Sequence, residues 1–192
     1  MNLSNQMFDV IKGDLEVLEQ GLQEAVTSTN DLVTEVGMHI VTSGGKRIRP
    51  ALCLLSARGG RAFDLPHVLP LAEALELIHT ASLVHDDVID EADTRRGAAT
   101  ANARWNNQVA ILSGDYIFAR AFTLIAEEGY DPYVSKRLAD LVCNLSVGEI
   151  IQDHAVYQAS RGMADYYERI QKKTADFLEI CCELGAMVGG MD

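Results

Sequence analysis

The sequence predicts an all-α fold, a bundle of long helices around a central cavity. Three observations predict it. Apolar residues recur at three- and four-residue spacings along most of the chain, and no strand-like alternation persists. Proline is scarce, with four residues in 192, and is expected at helix boundaries. The chain is 48% hydrophobic, enough to bury a sizeable core in one helical domain spanning residues 1–192.

Taken in order, the first helix is expected over about residues 3–26 and the second over about 30–42. Ser43-Gly44-Gly45 reads as a helix end, because glycine takes the left-handed conformation cheaply. Pro50 then opens a third helix, to about residue 61. A fourth, over about residues 67–91, begins apolar and ends in carboxylates. From Glu91 to about Asn106 the chain is polar, basic and glycine-containing, and is expected to be a surface loop able to reach a ligand. Three more helices follow over about residues 107–128, 132–158 and 164–188. Asp131-Pro132 reads as an N-cap and first helical position. Helices of about 20 residues or more are about 30 Å long. No repeat, low-complexity tract or interdomain linker interrupts them.

The net charge of −12 argues against a nucleic-acid partner, which needs a basic face. Positive charge is concentrated instead at Lys46, Arg47 and Arg49 and again at Arg95 and Arg96, a pattern suited to a compact anionic ligand. No run of about 18 apolar residues occurs, so no membrane span is expected. Met1 to Asp14 lacks the basic start and apolar centre of a secretory signal, which makes a cytoplasmic location the default. Cys53, Cys143, Cys181 and Cys182 form no C-x-x-C pair and have apolar neighbours, and are expected to be buried, reduced thiols.

The most informative stretch is L-I-H-T-A-S-L-V-H-D-D-V-I-D-E-A-D-T-R-R-G, Leu77 to Gly97. Asp86 and Asp90 lie one turn apart on one helix face, with Asp87 beside them. Like charges at that spacing, near a helix C-terminus, destabilise the helix unless a cation arrives. Oxygen donors without a His or Cys set favour a hard ion, Mg²⁺ or Mn²⁺. By spacing alone a solvated acidic helix end is an equal reading. His79, Ser82 and Leu83 stack on the same face, and Arg95 and Arg96 follow closely, so carboxylates for a metal stand beside guanidiniums for phosphate oxygens. Glu76 and His79 also fit the Glu-x-x-His pattern of di-iron bundles, but the other candidate histidines, such as His154, lack a Glu three residues earlier.

Ser43-Gly44-Gly45-Lys46-Arg47-Ile48-Arg49-Pro50 lets the backbone approach a ligand and brings cations with it, or is simply a basic interhelical turn. It lacks the spacing and the preceding strand of a Walker P-loop.

G-G-K-R-I-R-P, L-I-H-T-A-S-L-V-H-D-D-V-I-D and D-T-R-R-G, in that order, together with Ile170-Gln171-Lys172-Lys173-Thr174-Ala175, resemble the trans-prenyl diphosphate synthase family, particularly its long-chain heptaprenyl and octaprenyl members. The resemblance covers essentially the whole chain; Ser113-Gly114-Asp115-Tyr116 also fits, mainly as helix packing. It implies the isoprenoid synthase type of helical bundle, a homodimer, and head-to-tail condensation of isopentenyl diphosphate with an allylic prenyl diphosphate. Asp86 and Asp90, assisted by Asp87, would chelate Mg²⁺ on the allylic diphosphate, which Arg95, Lys173 and Thr174 would also contact. Lys46, Arg49, His79 and Arg96 would hold the diphosphate of isopentenyl diphosphate, with a lesser contribution from Arg47. Ala81 and Ser82 are small where bulky family residues stop short products, which implies a long product.

The sequence departs from the family pattern in one respect. No second aspartate-rich motif follows, since Asp86-Asp87 is the only D-D pair, and Val147 to Asp153 is acidic with a different spacing. The fold is therefore expected to be incomplete at the C-terminus. Two other functions stand beside the synthase: a non-catalytic subunit retaining one diphosphate site, and a class I terpene cyclase. The Lys46 to Arg49 segment disfavours the cyclase, which binds no second diphosphate substrate.

Overall fold

The computed structural model describes residues 8–155 and 162–191. Its helices are α1 (Lys12–Ala25), α2 (Asp31–Thr42), α3 (Ile48–Arg58), α4 (Leu65–Ile89), the single turn α5 (Ala101–Arg104), α6 (Asn107–Glu128), α7 (Pro132–Ala155), α8 (Met163–Ile170) and α9 (Asp176–Val188). A π-helical turn, Gln171–Ala175, joins the last two. The expected beginning of the first helix and the expected end of α7 beyond residue 155 lie outside the described residues.

Helix α4 organises the bundle. Every residue from Leu71 to Ile78 is buried, so this stretch is enclosed on all sides rather than amphipathic. It packs against α6, α3, α1 and α9. Leu18 and Leu22 of α1, Leu54 of α3, Ile117 of α6, Leu138 of α7 and Phe177 of α9 meet it in one apolar core. Helices α3 and α9 approach closely because a Cβ at Gly185 would overlap the Cys53 carbonyl and one at Gly189 that of Ala57.

The turn after α2 forms as expected, with Gly44 at φ +83°. Helix α3 begins at Ile48 rather than Pro50; Pro50 sits in its first turn, where a missing N–H is no loss. Its N-cap Arg47 is left-handed at φ 48°. That strain is held by bonds from the buried guanidinium to Glu76 at 2.9 Å, to Glu19 and to the Val41 carbonyl.

Several expectations need correction. Pro70 lies inside α4, not at a boundary. The loop after Glu91 is structured: Thr94–Arg95 pairs antiparallel with Ala98–Ala99, forming strands β1 and β2, and α5 follows. Arg96 (φ 54°) and Gly97 (φ 83°) form its two-residue turn, both left-handed as a type I′ hairpin requires. The expected last helix, about 164–188, is helical throughout, with π winding at Gln171–Ala175. Cys143 is exposed, although Cys53 and Cys181 are buried. Helix α6 is long and apolar enough to cross a membrane by length and composition, against the expectation of no such segment. A core helix passes the same test, and α6 packs along α4.

Candidate functional site

The C-terminal half of α4, the inner face of α7 and the π-turn enclose a cavity of ≈ 660 Å³, closed by Arg49 of α3, Phe118 of α6 and Phe177 of α9. That volume suits an organic ligand rather than a lone ion. His79, Ser82, Leu83 and Asp86 line it from α4, at the spacing the sequence predicts for one face. Helix α7 presents Val142, Leu145, Ser146, Glu149 and Asp153, again at three- and four-residue spacing. The lining is thus apolar at Leu83, Phe118, Val142, Leu145 and Phe177, and charged where α4, α7 and the π-turn meet.

The acidic side centres on Asp86. Burial raises its pKa, the nearby Glu149 raises it further, and the exposed Asp90 at the end of α4 adds to this, against the pull of Lys173. Lys173 donates to Glu149 Oε2 at 2.6 Å and to Gln152 Oε1 at 3.2 Å, which ties the π-turn to α7. Thr174 lines the same cavity.

The basic side centres on Arg49. Its guanidinium is half-buried, sits 4.7 Å from the Phe177 ring centroid, and leaves Nε without a hydrogen bond. Burial lowers its pKa, and among the described residues it forms no ion pair. An unsatisfied cation of this kind is stabilised by an arriving anion. His79 stands edge-on to Phe177. Burial, then Arg49, Arg96, Arg95 and Arg47, push its pKa down to about 3, so it is a neutral imidazole that can donate one hydrogen bond.

The hairpin carries Arg96 to the glycine turn, where its guanidinium bonds the Gly44 carbonyl. Lys46 is exposed beside it. Arg95 binds Asp87 through Nε at 2.8 Å and through Nη2 at 2.8 Å. Burial nonetheless raises the Asp87 pKa.

The cavity therefore gathers Arg49, His79, Ser82, Asp86, Lys173 and Thr174. Lys46, Ala81, Asp87, Asp90, Arg95 and Arg96 do not line it. Ala81 is wholly buried in the core. Arg47, given lesser weight from sequence, is committed to structure. Its Nη1 holds Glu76 at 2.9 Å, which removes that carboxylate from any Glu76–His79 metal pair.

Sequence reasoning missed Glu149, Phe118 and Phe177. Glu149 carries a usable signal, because Val142, Leu145, Ser146, Glu149 and Asp153 repeat on one helical face. The two phenylalanines carry none, since only tertiary packing aims them inward.

Among the described residues no three acidic, His or Cys side chains converge closely enough to hold a metal by themselves. The carboxylates of Asp86, Glu149 and Asp153 line the cavity together, and such oxygen donors fit a hard divalent cation whose shell phosphate oxygens would complete.

Comparison with known proteins bears on the fold that carries this site. The model of the polyprenyl synthetase family matches residues 30–192. The chain is 43% identical to "Heptaprenyl diphosphate synthase component 2" of Geobacillus stearothermophilus, over 96% of its own length and 57% of the relative's. It superposes on the heptaprenyl diphosphate synthase of Staphylococcus aureus with TM-score 0.91 at 33% identity, covering 95% of this chain and 57% of that one. A polyprenyl synthase from Caulobacter crescentus, solved with calcium and isoprenyl diphosphate, gives TM-score 0.92 at 32% identity, with 98% and 57% covered. The chain thus spans a little over half the length of these proteins.

Proposed function

Because the chain belongs to the polyprenyl synthetase family, we propose that it acts in head-to-tail prenyl elongation, condensing isopentenyl diphosphate with an allylic prenyl diphosphate. One observation carries the reading. A half-buried guanidinium, Arg49, that forms no ion pair among the described residues lines the same cavity as Asp86 and Glu149, two carboxylates sharing one lysine, Lys173, with apolar residues beside them. One anionic head and one bound cation would satisfy both.

In this proposal Asp86 and Asp90 would hold a Mg²⁺ ion for the allylic diphosphate, while Asp87 stays on Arg95 and fixes the hairpin. The metal supplies neutralisation of the charge that develops on the departing pyrophosphate. Lys173, steadied by Glu149 and Gln152, and Thr174 orient that diphosphate from the π-turn. Arg49 and neutral His79, with Arg96 and Lys46 from the turn above, hold the second diphosphate. Positioning of the alkene against the allylic carbon follows from these two anchors. Bond breaking gives a delocalised allylic cation, the alkene attacks it, and a proton leaves to pyrophosphate; no protein nucleophile takes part. Leu83, Phe118, Leu145 and Phe177 exclude water that would otherwise capture the cation.

Incubation of the full-length protein with isopentenyl and farnesyl diphosphates and Mg²⁺ tests the reading. An elongated prenyl diphosphate is expected. Binding without turnover would assign a non-catalytic subunit, and a cyclised hydrocarbon would assign a terpene cyclase.

Assembly belongs to the same proposal. Ile111 and Leu112 are exposed on α6, 43% and 59% respectively, and a second copy of the chain would cover them as the resemblance implies. The word "component" in the name of the Geobacillus relative favours instead a distinct second subunit. Light scattering of the purified protein alone separates the two: a dimer supports the first, a monomer the second.

A further inference from the structure

A second cavity, ≈ 290 Å³, lies between α1, α4 and α6 and shares no lining residue with the first. Glu73 of α4 lines it and is only 6% exposed, yet no hydrogen bond or ion pair to it exists among the described residues. Its carboxylate is pressed over Gly21 of α1, where a Cβ would overlap Oε1. Glycine there makes the space that the carboxylate occupies.

Two other acceptor side chains line the cavity, Glu24 and Gln20, both from α1. Burial, and then Glu24, raise the Glu73 pKa to about 7. Arg120 of α6 also lines the cavity, but its Nε is spent on the Ala25 carbonyl at 2.8 Å, and among the described residues no ion pair joins it to either glutamate. The remaining wall is aliphatic, with Val17, Leu69 and Leu124.

A buried carboxylate without a partner is costly, and a cation removes the cost. The lining selects the kind of cation. A hydrated divalent ion could use the carboxylates but would set its water shell against the aliphatic wall. A primary ammonium has three N–H donors, and the lining offers it three acceptor side chains, buried Glu73 and the exposed Glu24 and Gln20. Its alkyl chain then covers the aliphatic wall, which a metal ion leaves empty.

We propose that this cavity binds a small aliphatic primary ammonium ion, its head on Glu73 and Glu24 and its chain on Leu69 and Leu124. The site stands apart from the diphosphate cavity and does not depend on the function proposed for it.

The test is calorimetric titration of the full-length protein with n-butylammonium chloride at a pH above 7, against potassium chloride at equal ionic strength. Saturable binding with Kd below about 10 mM is expected for the amine and none for potassium. Glu73→Gln, nearly isosteric and so expected to fold, should weaken it about tenfold or more, whereas Arg120→Gln, which removes a repelling charge, should tighten it. A merely structural Glu73 would give no such opposition of sign. Arg49→Gln should leave the affinity unchanged. No saturable heat, an equal response to potassium, or equal binding by the Glu73→Gln protein would overturn the proposal.

Discussion

At the scale of single residues, three charged side chains on neighbouring helices have opposite fates, and the difference predicts what their loss does. Arg47 is spent on Glu19, Glu76 and a carbonyl. Arg47→Gln leaves Glu76 buried and unpaired, so a destabilisation of about 3–5 kcal/mol is expected in a denaturant titration. Arg49, two positions on, forms no ion pair among the described residues, and its Nε has no hydrogen bond. Arg49→Gln should leave the melting temperature within a few degrees of the parent while raising KM for isopentenyl diphosphate about tenfold to a hundredfold. Sequence showed both residues as one basic cluster; only packing assigns one to the fold and the other to the cavity. Glu73 is the acidic counterpart, with a folded-state pKa near 7 against an ordinary 4.5. Below the ordinary value it is protonated folded or unfolded and adds no pH-dependent penalty. Between the two values the unfolded chain gives up its proton first, so stability falls as pH rises, and above about 7 the full penalty stands. Glu73→Gln should therefore stabilise the protein by up to roughly 3 kcal/mol at pH 8 and hardly at all at pH 4, measured as the change in unfolding free energy without added amines.

At the scale of elements, the long helices were legible because their apolar spacing repeats over many turns, and α2, α4 and α6 fall within a few residues of expectation. What was not legible depends on single peptide bonds. A two-residue strand offers no alternation to read, so β1 and β2 were hidden, although Arg96-Gly97 carries a turn signal. A π-turn differs from an α-helix by one residue of winding, and Gln171–Ala175 has the composition of any helix. Yet this turn sets the direction of Lys173 and Thr174 relative to α9. Deleting Ala175 should restore regular winding and rotate both side chains by about 100° away from the cavity. The expected outcome is an unchanged far-UV circular dichroism spectrum with affinity for an allylic diphosphate lowered about tenfold or more. Retained affinity would mean that the turn is incidental.

At the scale of the whole molecule, the proposed elongation would make the shape of the cavity the limit on prenyl chain length, and here the sequence and the structure divide a pair of residues that looked alike. Ala81 and Ser82 are adjacent and small, and both were expected to shape the floor below the aspartates. In a helix, neighbours point about 100° apart. Ser82 lines the cavity one turn below Asp86, whereas Ala81 is fully enclosed in the core on another side of α4. The same bulky substitution should consequently have two different results. Ser82→Phe places a ring in open space, so the protein should stay folded and release shorter products, read as a shift in prenyl chain length by mass spectrometry. Ala81→Phe forces a ring into packed side chains, with an expected loss of about 1–3 kcal/mol of stability and no specific shift in the length of whatever product still forms. If Ser82→Phe left the product distribution unchanged while Ala81→Phe shortened it, the growing chain would run along a different face of α4 from the one Ser82, Leu83 and Asp86 now line.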